Sequence, residues 1–222
     1  MEKEEIISKT TKFVKETLEG TESGHDFWHI NRVYNNAKNI AKNEDVDLFT
    51  IELGALLHDI ADSKFHNGDE EIGPKKSREF LKSLAVDQDV INHVEKIIKN
   101  ISFKNIFFKG KNTKQEFKSL ELDVIQDADR LDAMGAIGIA RTFNYGGYKN
   151  RPIYDPNIKP NLDMSKEEYK KSNAPTINHF YEKLLLLKDL MNTLTGKKLA
   201  EQRHTFMELY LTQFYNEWDG KI

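Results

Sequence analysis

The apolar run Ala55-Leu56-Leu57 ends in His58 and Asp59, an imidazole beside a carboxylate. Burying an unpaired carboxylate costs several kcal/mol, so such a group is normally paired or bound to a metal. Two other stretches offer matching partners: His29 in Gly24-His25-Asp26-Phe27-Trp28-His29, and Asp129 in Gln126-Asp127-Ala128-Asp129-Arg130-Leu131-Asp132. Taken together, His29, His58, Asp59 and Asp129 are the expected ligands of one divalent ion. Imidazole nitrogen with carboxylate oxygen suits manganese, cobalt, nickel, iron or zinc, and magnesium less well because it avoids imidazole. Four protein ligands leave room for water and a phosphate oxygen, the arrangement for cleaving a phosphate ester or anhydride. Arg32, Lys64 and Arg130 are candidates to neutralise phosphate oxygens. Tyr145, Tyr148 and Arg151 are candidates for the ring-bearing end of a substrate, and Lys183 is a further substrate candidate. His25 and His66 read either as proton-transfer groups or as loop histidines bonded to backbone.

Helices must position these groups. The spacing predicts a helix over residues 3 to about 19, ended by Gly20, and a second capped by Asp26 and running to about Lys42. His29 and Arg32 are three residues apart on it, close enough to reach one point. Residues 48 to 61 form a third helix, apolar almost all round its second half and therefore central. A polar loop, Asp62 to Glu71, leaves it and is a natural place for substrate groups. Pro74 suits the first turn of a fourth helix ending near Leu84. Asp87 or Asp89 starts a fifth ending near Asn100, with His93 off its apolar face.

Residues 119 to 143 read as one helix rich in Ala and Gly that also carries Asp127, Asp129 and Asp132. Asp132 or Arg130 would support Asp129 there. Periodicity then stops, and a loop over residues 142 to 165 follows; a loop this long is usually functional or disordered. Its Tyr, Arg and Lys content favours an ordered lid over an anion and a ring. An antiparallel pair of helices, 166 to 194 and 197 to 218, closes the chain, broken at Gly196. His179, Arg203 and His204 read as surface residues.

The 222 residues are expected to form one domain, with a metal-binding core over about 20–143 and a loop and helical extension over about 144–222. A net charge of -3 gives no sign of the basic face of a nucleic-acid binder. Cysteine is absent, which excludes disulfides, thiolate zinc sites and thiol nucleophiles. The charged start lacks the apolar core of a signal peptide, and no apolar run approaches membrane-spanning length, so a cytoplasmic location is expected.

His29, the pair His58-Asp59 and Asp129, in that order and on separate helices, resemble the HD-domain metal-dependent phosphohydrolase superfamily. The words His58-Asp59-Ile60-Ala61-Asp62-Ser63-Lys64-Phe65, Gln126 to Arg141, and His179-Phe180-Tyr181-Glu182-Lys183-Leu184 are similar to a bacterial subgroup of single-domain HD hydrolases, so the likeness covers nearly the whole chain. The resemblance implies an all-α helical bundle and a small-molecule nucleotide substrate. It also implies hydrolysis of nucleoside triphosphates with release of pyrophosphate. The alternatives are a 5'-nucleotidase or phosphodiesterase on the same site, or a non-catalytic nucleotide-binding module. Asp62 matches an acidic position that some relatives use to position water, although that position often carries Glu. Relatives with two metals need extra histidines between the pair and the last Asp. Only His66 and His93 lie in that interval here, so one ion is expected, manganese first.

Overall fold

The computed structural model describes residues 1–20, 26–61, 69, 71–101 and 117–222, without the side chains of 166, 167 and 170. Asp62, Lys64, His25 and His66 lie outside the described residues. Among those described the fold is all-α, with no strand. The described residues up to Asp129 form one compact unit and those from Arg130 onward form another.

In the first unit, α1 (Lys3–Thr17), α2 (Phe27–Ala41), α3 (Leu48–Leu57), α4 (Ile72–Ser83) and α5 (Gln88–Asn100) enclose one apolar core. Asp26, Asp47 and Asp87 cap α2, α3 and α5, each side chain accepting a backbone N–H of the first turn. Helix α3 is central, packed by α1, α2 and α5. Ile51, Leu53, Ala55 and Leu57 on it are fully buried. Each large side chain buried this way contributes about 1.5–3 kcal/mol. The helix ends one turn earlier than its hydrophobicity predicts. His58 is its C-cap and Asp59 lies in the turn beyond.

Helix α6 (Leu120–Asp132) begins in the first unit and ends in the second. Three polar ties fix its first part. Glu121 accepts from the Asp47 backbone at 3.2 Å, Gln126 donates to the Asn100 carbonyl at 3.1 Å, and Asn36 donates to the Ala128 carbonyl at 3.3 Å. Gly54 lets α3 and α6 approach: a Cβ there would lie 2.6 Å from Ile125 Cδ1. Gly54 and Ile125 stand four residues before His58 and Asp129 respectively. The contact therefore lies one helical turn from a candidate ligand on each helix.

The single helix expected over 119–143 is two. The chain turns at Ala133-Met134-Gly135, where Gly135 adopts φ +66°, a conformation that costs glycine little. Helix α7 then runs Gly135–Tyr148, so the long loop begins at Lys149 rather than near 142. The loop is ordered. Thr176 and Ile177 donate backbone N–H groups to the Pro152 and Ile153 carbonyls at 2.8 and 3.0 Å, and Asn178 donates to the Ile158 carbonyl at 3.1 Å.

The first helix of the expected closing pair is fragmented into α8 (Lys166–Lys171), α9 (Asn178–Glu182) and a 3-10 segment, Leu184–Leu190. Pro175 accounts for one break, since the residue before proline is held out of the helical region. Helix α10 is continuous over Leu194–Trp218. Gly196 does not break it but sits in its first turn, donating to the Thr193 cap at 2.9 Å. Phe180, fully buried, packs on Tyr210 with centroids 5.9 Å apart.

Gly54→Ala is expected to lower stability by about 1–3 kcal/mol, the usual cost of overpacking. Adding Ile125→Val removes the clashing Cδ1 and should recover part of that loss. Thermal unfolding followed by circular dichroism measures both.

Candidate metal centre

Helix α2 delivers His29. The Asp26 carboxylate accepts the His29 backbone N–H at 2.9 Å, which starts the helix and places the imidazole in its first turn, 3 % exposed. His58 arrives from the end of α3. Its Nδ1 lies 2.8 Å from the Ala55 carbonyl, one of the orphan acceptors at the C-terminus of its own helix. That hydrogen bond places the proton on Nδ1 and leaves the Nε2 lone pair for a metal. The two rings meet edge to face with centroids 5.5 Å apart.

One ligand atom from each of His29, His58 and Asp59 falls within a mutual 4.8 Å. Asp129 abuts this group without sharing all of its distances: its Oδ1 is 3.5 Å from His29 Nε2. All four expected ligands thus belong to the first unit and are neighbours there. Two buried imidazoles facing half-buried carboxylates form a nitrogen–oxygen donor set that fits a borderline divalent cation. Arg32 is on α2, one turn after His29, and half-buried.

Arg130 is held from within the second unit. It is 1 % exposed, and its Nη1 donates to the Leu190 carbonyl. A guanidinium held this way in the interior braces the Leu190 carbonyl. Asp132 is also occupied in the second unit: Arg141 Nη1 bonds its Oδ2 at 2.5 Å. Arg203 donates to the Leu131 carbonyl beside it, and burial lowers the Arg203 pKa from its ordinary value. Arg203 is therefore a brace rather than a surface residue. His204, expected at the surface, is 6 % exposed, because the face of α10 that carries Ala200, Met207 and Leu211 turns it inward.

The other substrate candidates lie in the second unit. Tyr148 is exposed, with Lys149 Nζ 4.9 Å from its ring centroid. Tyr145 is half exposed, and the Arg151 guanidinium carbon is 5.5 Å from its centroid. Arg151 Nη2 donates to the Ser172 carbonyl at 2.5 Å. His179, also expected at the surface, is half-buried, with Nδ1 3.0 Å from the Tyr169 hydroxyl. Surrounding protein, then the positive charges of Lys183 and Arg151, hold its pKa down from 6.5 to about 3. Burial likewise keeps the Tyr169 phenol protonated, above its usual range, and pushes the Glu182 carboxyl up. Sequence reasoning missed Tyr169 entirely, because it sits in the charged run Lys166–Lys171. Its only signal was an aromatic ring among charges.

An HD domain family model matches residues 27–134, which contain all four expected ligands. The protein YpgQ of Bacillus subtilis is 35% identical over 208 residues, covering 94% of this chain and 91% of its own. A crystal structure of an HD-superfamily hydrolase from Bacillus thuringiensis is 46% identical, with a TM-score of 0.79 over 98% of this chain and 99% of that one. The structure of Bacillus subtilis YpgQ in complex with ADP matches with a TM-score of 0.74 at 32% identity, over 98% and 97% of the two chains.

Two outcomes are expected. Alanine at His29, His58, Asp59 or Asp129 should each weaken divalent-ion binding, read by metal titration, by more than the roughly 10–100-fold that losing a supporting hydrogen bond costs. The His179 imidazole should stay neutral from pH 8 down to pH 5 in NMR titration. The unfolded chain takes up that proton near 6.5 and the folded chain only near 3. This contribution to stability is therefore complete above the unfolded value and lost as pH falls through that window.

Proposed function

We propose that this chain, which belongs to the HD-domain metal-dependent phosphohydrolase superfamily, hydrolyses nucleoside triphosphates to the monophosphate and pyrophosphate. The observation that carries the reading is the convergence of His29, His58 and Asp59 within 4.8 Å, with Asp129 against them. The ADP held by the YpgQ relative supports a nucleotide as substrate. A divalent ion at such a set, manganese in this reading, activates water and stabilises charge at phosphorus.

The protein groups have separate tasks. His58, held through Nδ1 by the Ala55 carbonyl, turns Nε2 to the ligand side of the ring. Asp59 and Asp129 bring negative charge that offsets the cation. Asp62 is assigned to positioning water and Lys64 to a phosphate oxygen, both on the motif alone, and Arg32 to a second phosphate oxygen. Tyr145, Tyr148, Arg151 and Lys183 are assigned to the substrate as well. Among the described residues no helix is long and apolar enough to cross a membrane, and a cytoplasmic nucleotide pool is part of the same reading.

A metal-supplemented screen of nucleoside mono-, di- and triphosphates, with products identified, tests the proposal. The expected result is pyrophosphate and nucleoside monophosphate in equal amounts. Orthophosphate as the sole phosphorus product would make it a nucleotidase instead. The double substitution His58→Ala/Asp59→Ala should reduce turnover by at least about 10³-fold, the scale of several kcal/mol of lost charge stabilisation. Unchanged turnover would remove the metal from the chemistry.

A further inference from the structure

One side of α2 carries polar residues in the midst of apolar ones. His29, Arg32 and Asn36 stand three and four residues apart, so their side chains leave the helix together. Val33, Ala37 and Ile40 beside them are fully buried. His29 is an expected ligand and Arg32 is assigned to substrate. Asn36, half-buried two turns beyond His29, has no place in the metal chemistry as described so far. It belongs to the first unit, as do all four expected ligands.

Asn36 reaches the peptide unit that precedes Asp129. Its Nδ2 donates to the Ala128 carbonyl at 3.3 Å. A carbonyl inside a helix gives one lone pair to the N–H four residues on, and its second lone pair can take a side-chain donor. Ala128 is fully buried, so little water competes for that position. The Ala128 carbonyl and the Asp129 N–H share one planar peptide group, and the Asp129 Cα lies in the same plane. A donor that holds the oxygen therefore also restrains the point from which the Asp129 side chain springs.

Helix α2 thus meets neighbouring residues of α6 at two points. His29 Nε2 lies 3.5 Å from Asp129 Oδ1, and Asn36 holds the Ala128 carbonyl. One contact between two helices leaves them free to turn about it; two contacts, two turns apart on α2, restrain that rotation. Attachment of α2 to its unit has other sources. The Tyr34 hydroxyl donates to Glu52 of α3 at 2.7 Å, Lys38 Nζ lies 3.2 Å from the same carboxylate, and Ile30 is in the core. The tie to α3 and the tie to α6 can therefore be cut separately.

We propose that Asn36 is a positioning residue of the metal centre: by holding the peptide plane between Ala128 and Asp129 it sets where the Asp129 carboxylate meets His29, and so raises affinity for the divalent ion. It acts through Asp129. This role rests on Asp129 being a ligand, as in the function proposed above; the tie between α2 and α6 does not.

Calorimetric titration of the full chain with manganese tests the role. Asn36→Leu keeps the volume and loses the amide, whereas Asn36→Ser stays polar but falls short of the carbonyl. Each should weaken manganese binding about tenfold, the low end of what losing a supporting hydrogen bond costs. Tyr34→Phe cuts the tie to α3 instead; it should lower thermal stability comparably and leave affinity within about twofold. Equal loss of affinity in Tyr34→Phe and the Asn36 variants would mean general loosening of α2 and overturns the proposal, as does unchanged affinity in a folded Asn36 variant. In the metal-free chain, Asn36→Leu should shift the ring-nitrogen NMR signals of His29 more than those of His58, whose Nδ1 is held within α3 by the Ala55 carbonyl. Equal shifts in both rings, or none in His29, overturn the tie. Added to Asp129→Ala, Asn36→Leu should cost less than about twofold more, because both act on one ligand; a further loss of about tenfold overturns the route through Asp129. Should Asp129→Ala bind manganese like the wild type, Asp129 leaves the ligand set and the proposed site fails, while the His29 signals still decide the tie.

Discussion

Negative charge and imidazole nitrogen drawn together in an apolar interior are the constraint on which the first unit depends. Two buried histidines, a half-buried Asp59 and Asp129 against His29 form a nitrogen–oxygen donor set that a cation would balance. The elements around them act to hold this costly set in place. Asp26 fixes where α2 begins and hence where His29 points. The Ala55 carbonyl, left over at the end of α3, holds the His58 ring by Nδ1. One residue thus caps a helix and offers a ligand nitrogen. Gly54 permits the approach of Ile125, one turn before Asp129, and Asn36 ties α2 to the Ala128 carbonyl beside that aspartate.

Arginines near the α6–α7 turn show how similar side chains acquire different work. Arg130 and Arg203 end on backbone carbonyls, and Arg141 ends on Asp132. Arg203 and Arg141 meet acceptors where α6 stops, and Arg130 meets one at the end of the 3-10 segment. Arg151 differs because the loop that carries it is held by backbone hydrogen bonds of its own, through Thr176 and Ile177.

The described aromatic residues of the second unit divide along the same line. Phe180, Tyr210 and Phe143 pack on one another as core. Tyr145 and Tyr148 stay exposed beneath Lys149 and Arg151. Their neighbours separate packing from presentation.

Local chemistry determined much of this protein before any folding. The caps at Asp26 and Asp87, the buried character of α3 and the helical class follow from side-chain type and spacing, which act over a few residues, and the same side-chain types, with the family resemblance, picked out His29, His58, Asp59 and Asp129 as candidate ligands. Tertiary structure decided the rest. It ended α3 at Leu57, split 119–143 at Gly135, and turned Arg130 and His204 inward. It also brought Tyr169 to His179. Helical periodicity tells which residues share a face, but whether that face meets core, backbone carbonyl or solvent depends on partners distant in the chain. Desolvation and charge pairing are properties of those partners, so they exist only once the chain has folded.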